Sequence, residues 1–99
     1  MGRRSRGLAG PSGGHRAEAE RIADRAEWYL GHARGLIESG DCDGALRIGL
    51  AAHAAAASAF RESVHIPGWR RLALPAKIMG AKREAEEIVI RAASCTRKG

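Results

Sequence analysis

Aromatic residues are scarce in this 99-residue chain, which has only Trp28, Tyr29, Phe60 and Trp69. Because β-strands favour aromatic and β-branched side chains, this shortage argues against a sandwich or barrel of strands. Core volume must instead come from leucine, isoleucine, valine and many alanines, and alanine has the highest helix propensity. The composition therefore predicts an all-α fold, and the length allows one domain with a single core.

Long apolar runs and cysteine motifs are also missing. No stretch approaches eighteen uninterrupted apolar residues, and no apolar run of seven or more follows the N-terminal arginines, so neither a membrane span nor a signal peptide is predicted. Cys42 and Cys95 are too few and too far apart in sequence for a disulfide framework, and neither belongs to a Cys-x-x-Cys pair. We therefore expect a reducing compartment and a cytoplasmic protein.

Motifs of catalysis and ligand binding are absent as well. The sequence has no Gly-x-Ser-x-Gly, no phosphate-binding glycine loop ending in Lys-Ser/Thr and no His-Glu-x-x-His. Residues 41–44 alternate carboxylates before a glycine as a calcium loop does, but Ser39 and Leu50 stand where ligands are required. The histidines and cysteines lack the paired spacing of a zinc site. We expect no metal, no cofactor, no small-molecule substrate and no enzymatic activity.

What the sequence does contain is helical periodicity in three segments, where apolar residues recur at intervals of three and four. The predicted helices cover residues 15–39, 41–63 and 75–94. The second is apolar over more than half of its circumference, which predicts that it lies in the middle with a neighbour on each side. Its Leu50 and Phe60 are predicted to lie in the core.

Turn residues separate these segments. Gly40 is expected to adopt φ > 0 after the first helix, and Asp41 or Asp43 is expected to cap the second. Pro67-Gly68 forces a turn before the third helix. We therefore predict a three-helix bundle built on an antiparallel hairpin. Its parts are a disordered basic Arg/Gly tail (1–14), a three-helix domain (15–95) and a frayed C-terminus (96–99).

Three bulky or titratable side chains leave alternatives open. Trp28 falls outside the main apolar stripe and is either covered by another part of the chain, the arrangement we favour, or exposed as an anchor for a partner. Trp69 either plugs the open end of the bundle, again the favoured arrangement, or stacks on nucleic-acid bases. His53 is expected to be a buried or groove-edge histidine rather than a ligand or base.

The net charge of +6 is concentrated at the two ends of the chain. Residues 1–16 carry +4 and residues 64–99 carry +5, whereas the segment between them is mildly acidic. Basic flanks are typical of contacts with polyanions, although they also serve solubility alone. The residues that would bind a partner or a nucleic acid are Arg3, Arg4, Arg6, Trp69, Arg70, Arg71, Lys77, Lys82 and Arg83.

Residues 29–52 resemble a single tetratricopeptide-like helical hairpin. The resemblance rests on Tyr29, Ala33, Leu36, Gly40, Ala45 and Ala52, while Gly49 stands where the family has an aromatic residue. The hairpin also looks like those of small phage-encoded proteins, which implies a host-cytoplasmic or virion location. Both resemblances imply contact with a protein partner and no activity. The sequence therefore predicts a small interaction module that binds a protein or itself, with a nucleic-acid-binding accessory protein as the alternative.

Overall fold

The computed structural model describes the backbone of residues 4–98 and the side chains of residues 14–96, and it is all-α. Helix α1 spans Arg4–Glu38, helix α2 spans Cys42–Ser63 and helix α3 spans Leu74–Lys98, with a 3₁₀ turn at Trp69–Arg71. Three helices were predicted, and this is confirmed. The bounds differ, since α1 begins before residue 15 and α3 continues past residue 94. The predicted tail, except for Gly14, and residues 97–99 lie outside the side chains that the structure describes.

The turn between α1 and α2 has the geometry that its sequence predicts. Gly40 has a φ of +89°, and the backbone N–H groups of Gly40 and Asp41 donate to the carbonyls of Ile37 and Leu36 at 3.1 and 2.8 Å. This is the hydrogen-bond pattern of a Schellman C-cap. The Asp41 carboxylate then accepts from the Gly44 N–H at 2.9 Å, so that Asp41 is the N-cap of α2. Both turn predictions are confirmed.

The core is built mainly from small side chains. In each helix the buried residues, apart from Gly44 at the start of α2, alternate in spacing between three and four, which is the pattern of coiled-coil packing. They are Ala19, Ala23, Ala26, Leu30 and Ala33 of α1, Ala45, Gly49, Ala52, Ala56, Ala59 and Ser63 of α2, and Leu74, Ile78, Ala81, Ala85, Ile88 and Ala92 of α3. Small residues at these positions let the helix axes approach closely. Helix α2 packs along both neighbours, as predicted for the middle helix.

The apolar face of α2 consists of two stripes that differ in burial. One is made mainly of alanines (Ala45, Ile48, Ala52, Ala55, Ala56 and Ala59), and the other contains bulkier residues (Leu46, Leu50, His53, Ala57, Phe60 and Val64). The alanine stripe is the core, whereas the stripe of bulkier residues lies at its edge. Leu50 is 52% exposed, so its prediction as a core residue was wrong. Phe60 is half-buried and packs against the core. The reason is the close approach of α3 along the small residues: a Cβ on Gly49 would lie only 3.1 Å from Val89 Cγ2 and 3.2 Å from Ile88 Cγ2.

A disulfide joins the first residue of α2 to the last part of α3. Cys42 and Cys95 are bonded, and their Cα atoms are 5.9 Å apart, within the usual range for a disulfide. The two cysteines were expected to be too few and too far apart in sequence for a disulfide framework, and this did not anticipate the bond, because the antiparallel course of α3 returns Cys95 to the start of α2. Disulfides persist mainly in oxidising surroundings, so the cysteines no longer support the expectation of a reducing compartment.

Within residues 4–98, none of the helices combines the length and the hydrophobicity that a membrane crossing requires.

Candidate functional site

An apolar groove, which we call the outer groove, lies between α2 and α3 on the surface of the bundle. Leu50, His53, Glu86, Val89 and Ile90 line it, and its volume is about 350 Å³. Ile90 is 68% exposed and Leu50 is 52% exposed. Single exposed apolar side chains are common on proteins, but adjoining ones in a groove are typical of an interaction site.

The groove follows from the composition of α2. Because Gly49 has no side chain, α3 packs directly against α2 at Val89 and Ile88. Leu50 follows Gly49 on the helix and is therefore turned away from that contact by about a quarter of a turn or more. Because α3 packs on the small residues of α2, it does not cover Leu50. Leu50 and Ile90 therefore both stay exposed and line the outer groove.

Two of the five residues that line the groove, His53 and Glu86, are polar. His53 Nε2 lies 3.1 Å from Glu86 Oε2, and Lys82 Nζ lies 3.9 Å from the same carboxylate oxygen. The Glu86 carboxylate is still about half exposed, so these contacts leave part of it open to solvent. His53 is thus a half-exposed, groove-edge histidine, one of the two placements that the sequence analysis expected. No group of side chains suited to a metal ion occurs among the described residues.

Trp28 occupies a different exposed position on α1. It is 64% exposed. Its ring stacks on His32 at 5.3 Å between centroids and contacts Tyr29 edge-on at 5.5 Å, both on its own helix. The favoured prediction that another part of the chain covers Trp28 was wrong, because it lies on the side of α1 that faces away from the other helices.

Trp69 is held by the bundle. It is half-buried, packs against the hydrophobic core and contacts Phe60 edge-on, with ring centroids 5.8 Å apart. The guanidinium carbon of Arg70 lies 5.1 Å from the centroid of its ring, as in a cation–π contact. This arrangement agrees with the prediction that Trp69 closes the open end of the bundle. Arg70 and Arg71 are exposed beside Trp69.

The basic residues of α3 do not share one face. Lys77 reaches toward α1, where its Nζ lies 3.3 Å from Asp24 Oδ1 and 3.9 Å from Glu27 Oε1. Lys82 lies 3.9 Å from the carboxylate of Glu86 on its own helix, whereas Arg83 is exposed. Two of the predicted phosphate contacts are therefore directed at carboxylates of the same chain.

The N-terminal members of the predicted basic site fall outside this description. Arg3 precedes the described residues, and the side chains of Arg4 and Arg6 are not among those described. Their place relative to Arg70, Arg71 and Arg83 stays a prediction.

Charge pairs also bridge α1 and α3. Arg34 donates to Glu84, and Lys77 donates to Asp24 about two turns of α3 away. Between these pairs lies an open cleft of about 650 Å³. Because its charged side chains already face partners of opposite sign, the cleft offers less to a ligand than the outer groove does.

Ile90 and Val89 were not among the predicted site residues, although the sequence carries a signal for one of them. Ile90 lies off the apolar stripe of its helix, on the same face as the charged residues Arg83 and Glu86. An apolar residue on the polar face of an amphipathic helix is the kind of signal that marks a contact with another molecule.

No family model, curated protein or solved structure matches this chain. The resemblances to a tetratricopeptide hairpin and to phage-encoded proteins therefore stay predictions.

Proposed function

We propose that this protein is a small, non-enzymatic helical module that binds a protein partner through the outer groove. The observation that carries the proposal is that Leu50 and Ile90, two bulky apolar side chains that are more than half exposed, line the same groove. Fully burying a leucine or isoleucine contributes about 1.5–3 kcal/mol, so covering the exposed half or more of each of these side chains contributes roughly 1–2 kcal/mol. A partner that fills the groove gains this contribution from residues that the bundle itself leaves in water.

A protein fits the outer groove better than a polyanion does. Its walls are mostly apolar, and the charged group that lines it is the carboxylate of Glu86. Nucleic acid is bound mainly through cations that face its phosphates. The exposed Arg70 and Arg71 beside Trp69 support the alternative of nucleic-acid binding at the other end of α3.

Photocrosslinking tests the proposed surface. A variant with p-benzoylphenylalanine at Ile90 is irradiated in an extract of the cells that produce the protein, and products are identified by mass spectrometry. Arg25, an exposed residue on α1, is the matched control position. We expect Ile90 to give discrete protein products, self or foreign, that excess wild-type protein suppresses.

Competition by a Leu50→Glu variant makes the test specific. Leu50→Glu places a carboxylate in the groove at an exposed position, so the variant should still fold. It should no longer compete with the crosslinking protein for the partner. Products equal to those from position 25, or suppressed equally by both competitors, would contradict the proposal.

A further inference from the structure

The exposed face of α3 carries a short stripe of its own. Met79, Arg83, Glu86 and Ile90 are all exposed and follow one another at intervals of four, three and four. This spacing places them on one side of the helix, as at the seam of a coiled coil. We call these four residues the α3 seam. Its two ends are apolar, its two central residues have opposite charges, and the outer groove adjoins it at Ile90.

The order of residues in the seam distinguishes between two ways of pairing it with a copy of itself. If two copies of α3 ran parallel about a two-fold axis, Arg83 would face Arg83 and Glu86 would face Glu86, which is unfavourable. If they run antiparallel about an axis between residues 84 and 85, Arg83 faces the second copy's Glu86. Met79 then faces the second copy's Ile90. Every position of the seam meets a complementary one.

We propose that the partner of the outer groove is a second copy of this chain, bound antiparallel along the α3 seam. The proposal rests on the proposed function and names its partner. In this register Met79 of each copy is directed at the groove that Leu50, Val89 and Ile90 form on the other. Methionine suits this place because its unbranched, flexible side chain fits irregular apolar surfaces, and Met79 is itself 38% exposed.

The seam is short, so we expect the dimer to be weak. From Met79 to Ile90 the helix rises by about 17 Å, or three turns. With Leu50 at each end, such a contact lies at the small end of specific interfaces, so a dissociation constant in roughly the micromolar range is expected. Because of the two-fold symmetry, the dimer contains the Arg83–Glu86 contact twice. A substitution of either residue therefore changes two contacts.

Charge exchange tests the pairing. The mass of the wild-type chain in about 150 mM salt is followed by sedimentation equilibrium from about 1 µM to 1 mM, a range that brackets the expected affinity. Arg83→Glu and Glu86→Arg should each weaken dimerisation roughly tenfold or more, because two opposite-charge contacts become like-charge contacts. The double variant R83E/E86R should recover most of the wild-type affinity. Arg25→Glu on α1 is the control for net charge and should leave dimerisation unchanged.

Each outcome decides the proposal. A wild-type chain that stays monomeric throughout overturns it, as does a double variant that fails to recover affinity. Far-UV circular dichroism shows whether each variant is folded. Should a charge variant fail to fold, Ile90→Ala takes its place, since truncating a side chain that is 68% exposed spares the bundle and should also weaken the dimer. If the chain is monomeric yet Ile90 crosslinks specifically to a foreign protein, the proposed function stands without this inference.

Discussion

Reducing the Cys42–Cys95 disulfide should strongly destabilise the fold. The bond closes a loop whose ends are 53 residues apart in sequence. In the chain-entropy model, a loop of this length restricts the unfolded chain enough to contribute about 4 kcal/mol. For a domain of about 100 residues, this corresponds to a fall in Tm of roughly 15–30 °C. Cys95 is exposed, so a reductant can reach the bond in the folded protein.

The assay compares thermal and urea unfolding with and without dithiothreitol. A double variant, Cys42→Ser with Cys95→Ser, is the matched control, and its stability should equal that of the reduced wild type and be insensitive to reductant. Mass spectrometry verifies that the untreated wild type contains the bond. An oxidised protein whose unfolding curve is unchanged by full reduction would refute the reasoning, because the loop-closure contribution would then be missing.

The remaining predictions concern single side chains. Leu50→Ala should cost at most about 1 kcal/mol because Leu50 is mostly exposed, whereas Ile78→Ala in the core should cost about 2–5 kcal/mol; equal losses in urea unfolding would contradict this. Gly40→Ala should destabilise by about 1–2 kcal/mol because of its positive φ, while Gly35→Ala, in an exposed helical position with open space, should stabilise slightly; a stabilising change at position 40 would mean that α1 continues through the turn. Trp69→Ala should lower Tm because the ring packs on the core. Any salt-sensitive binding of the folded variant to single-stranded DNA, measured by fluorescence anisotropy, should remain. Loss of binding with an unchanged Tm would instead support stacking of Trp69 on bases.

Features that depend on neighbouring residues could be predicted from the sequence. The turn at Gly40 is an example, since its cap hydrogen bonds join residues within five positions of one another. The three helices follow equally from local periodicity. Their ends were harder to place, because a helix bound depends on the balance between propensity and solvation over a few residues.

Features that depend on the pairing of helices could not be predicted in the same way. Helix α2 has two apolar stripes, and periodicity alone does not tell which one α3 covers. Gly49 decides it, since α3 approaches most closely where a side chain is missing. Leu50 and Ile90 are forty positions apart in sequence, so their place in one groove appears only when the register of α2 against α3 is known. The pairing of Cys42 with Cys95 depends on the same register.

The use of alanine in the core explains why bulky residues are found outside it. Burying an alanine contributes much less hydrophobic free energy than burying a leucine or isoleucine, which contributes about 1.5–3 kcal/mol. A chain that buries Ala52 and Ala56 while exposing Leu50 and Ile90 therefore gives up stabilisation that a conventional core would provide. That stabilisation becomes available when another surface covers the outer groove. Because Leu50 and Ile90 are exposed, replacing them should cost the isolated bundle little, whereas a larger residue at Gly49 would have to separate α2 from α3.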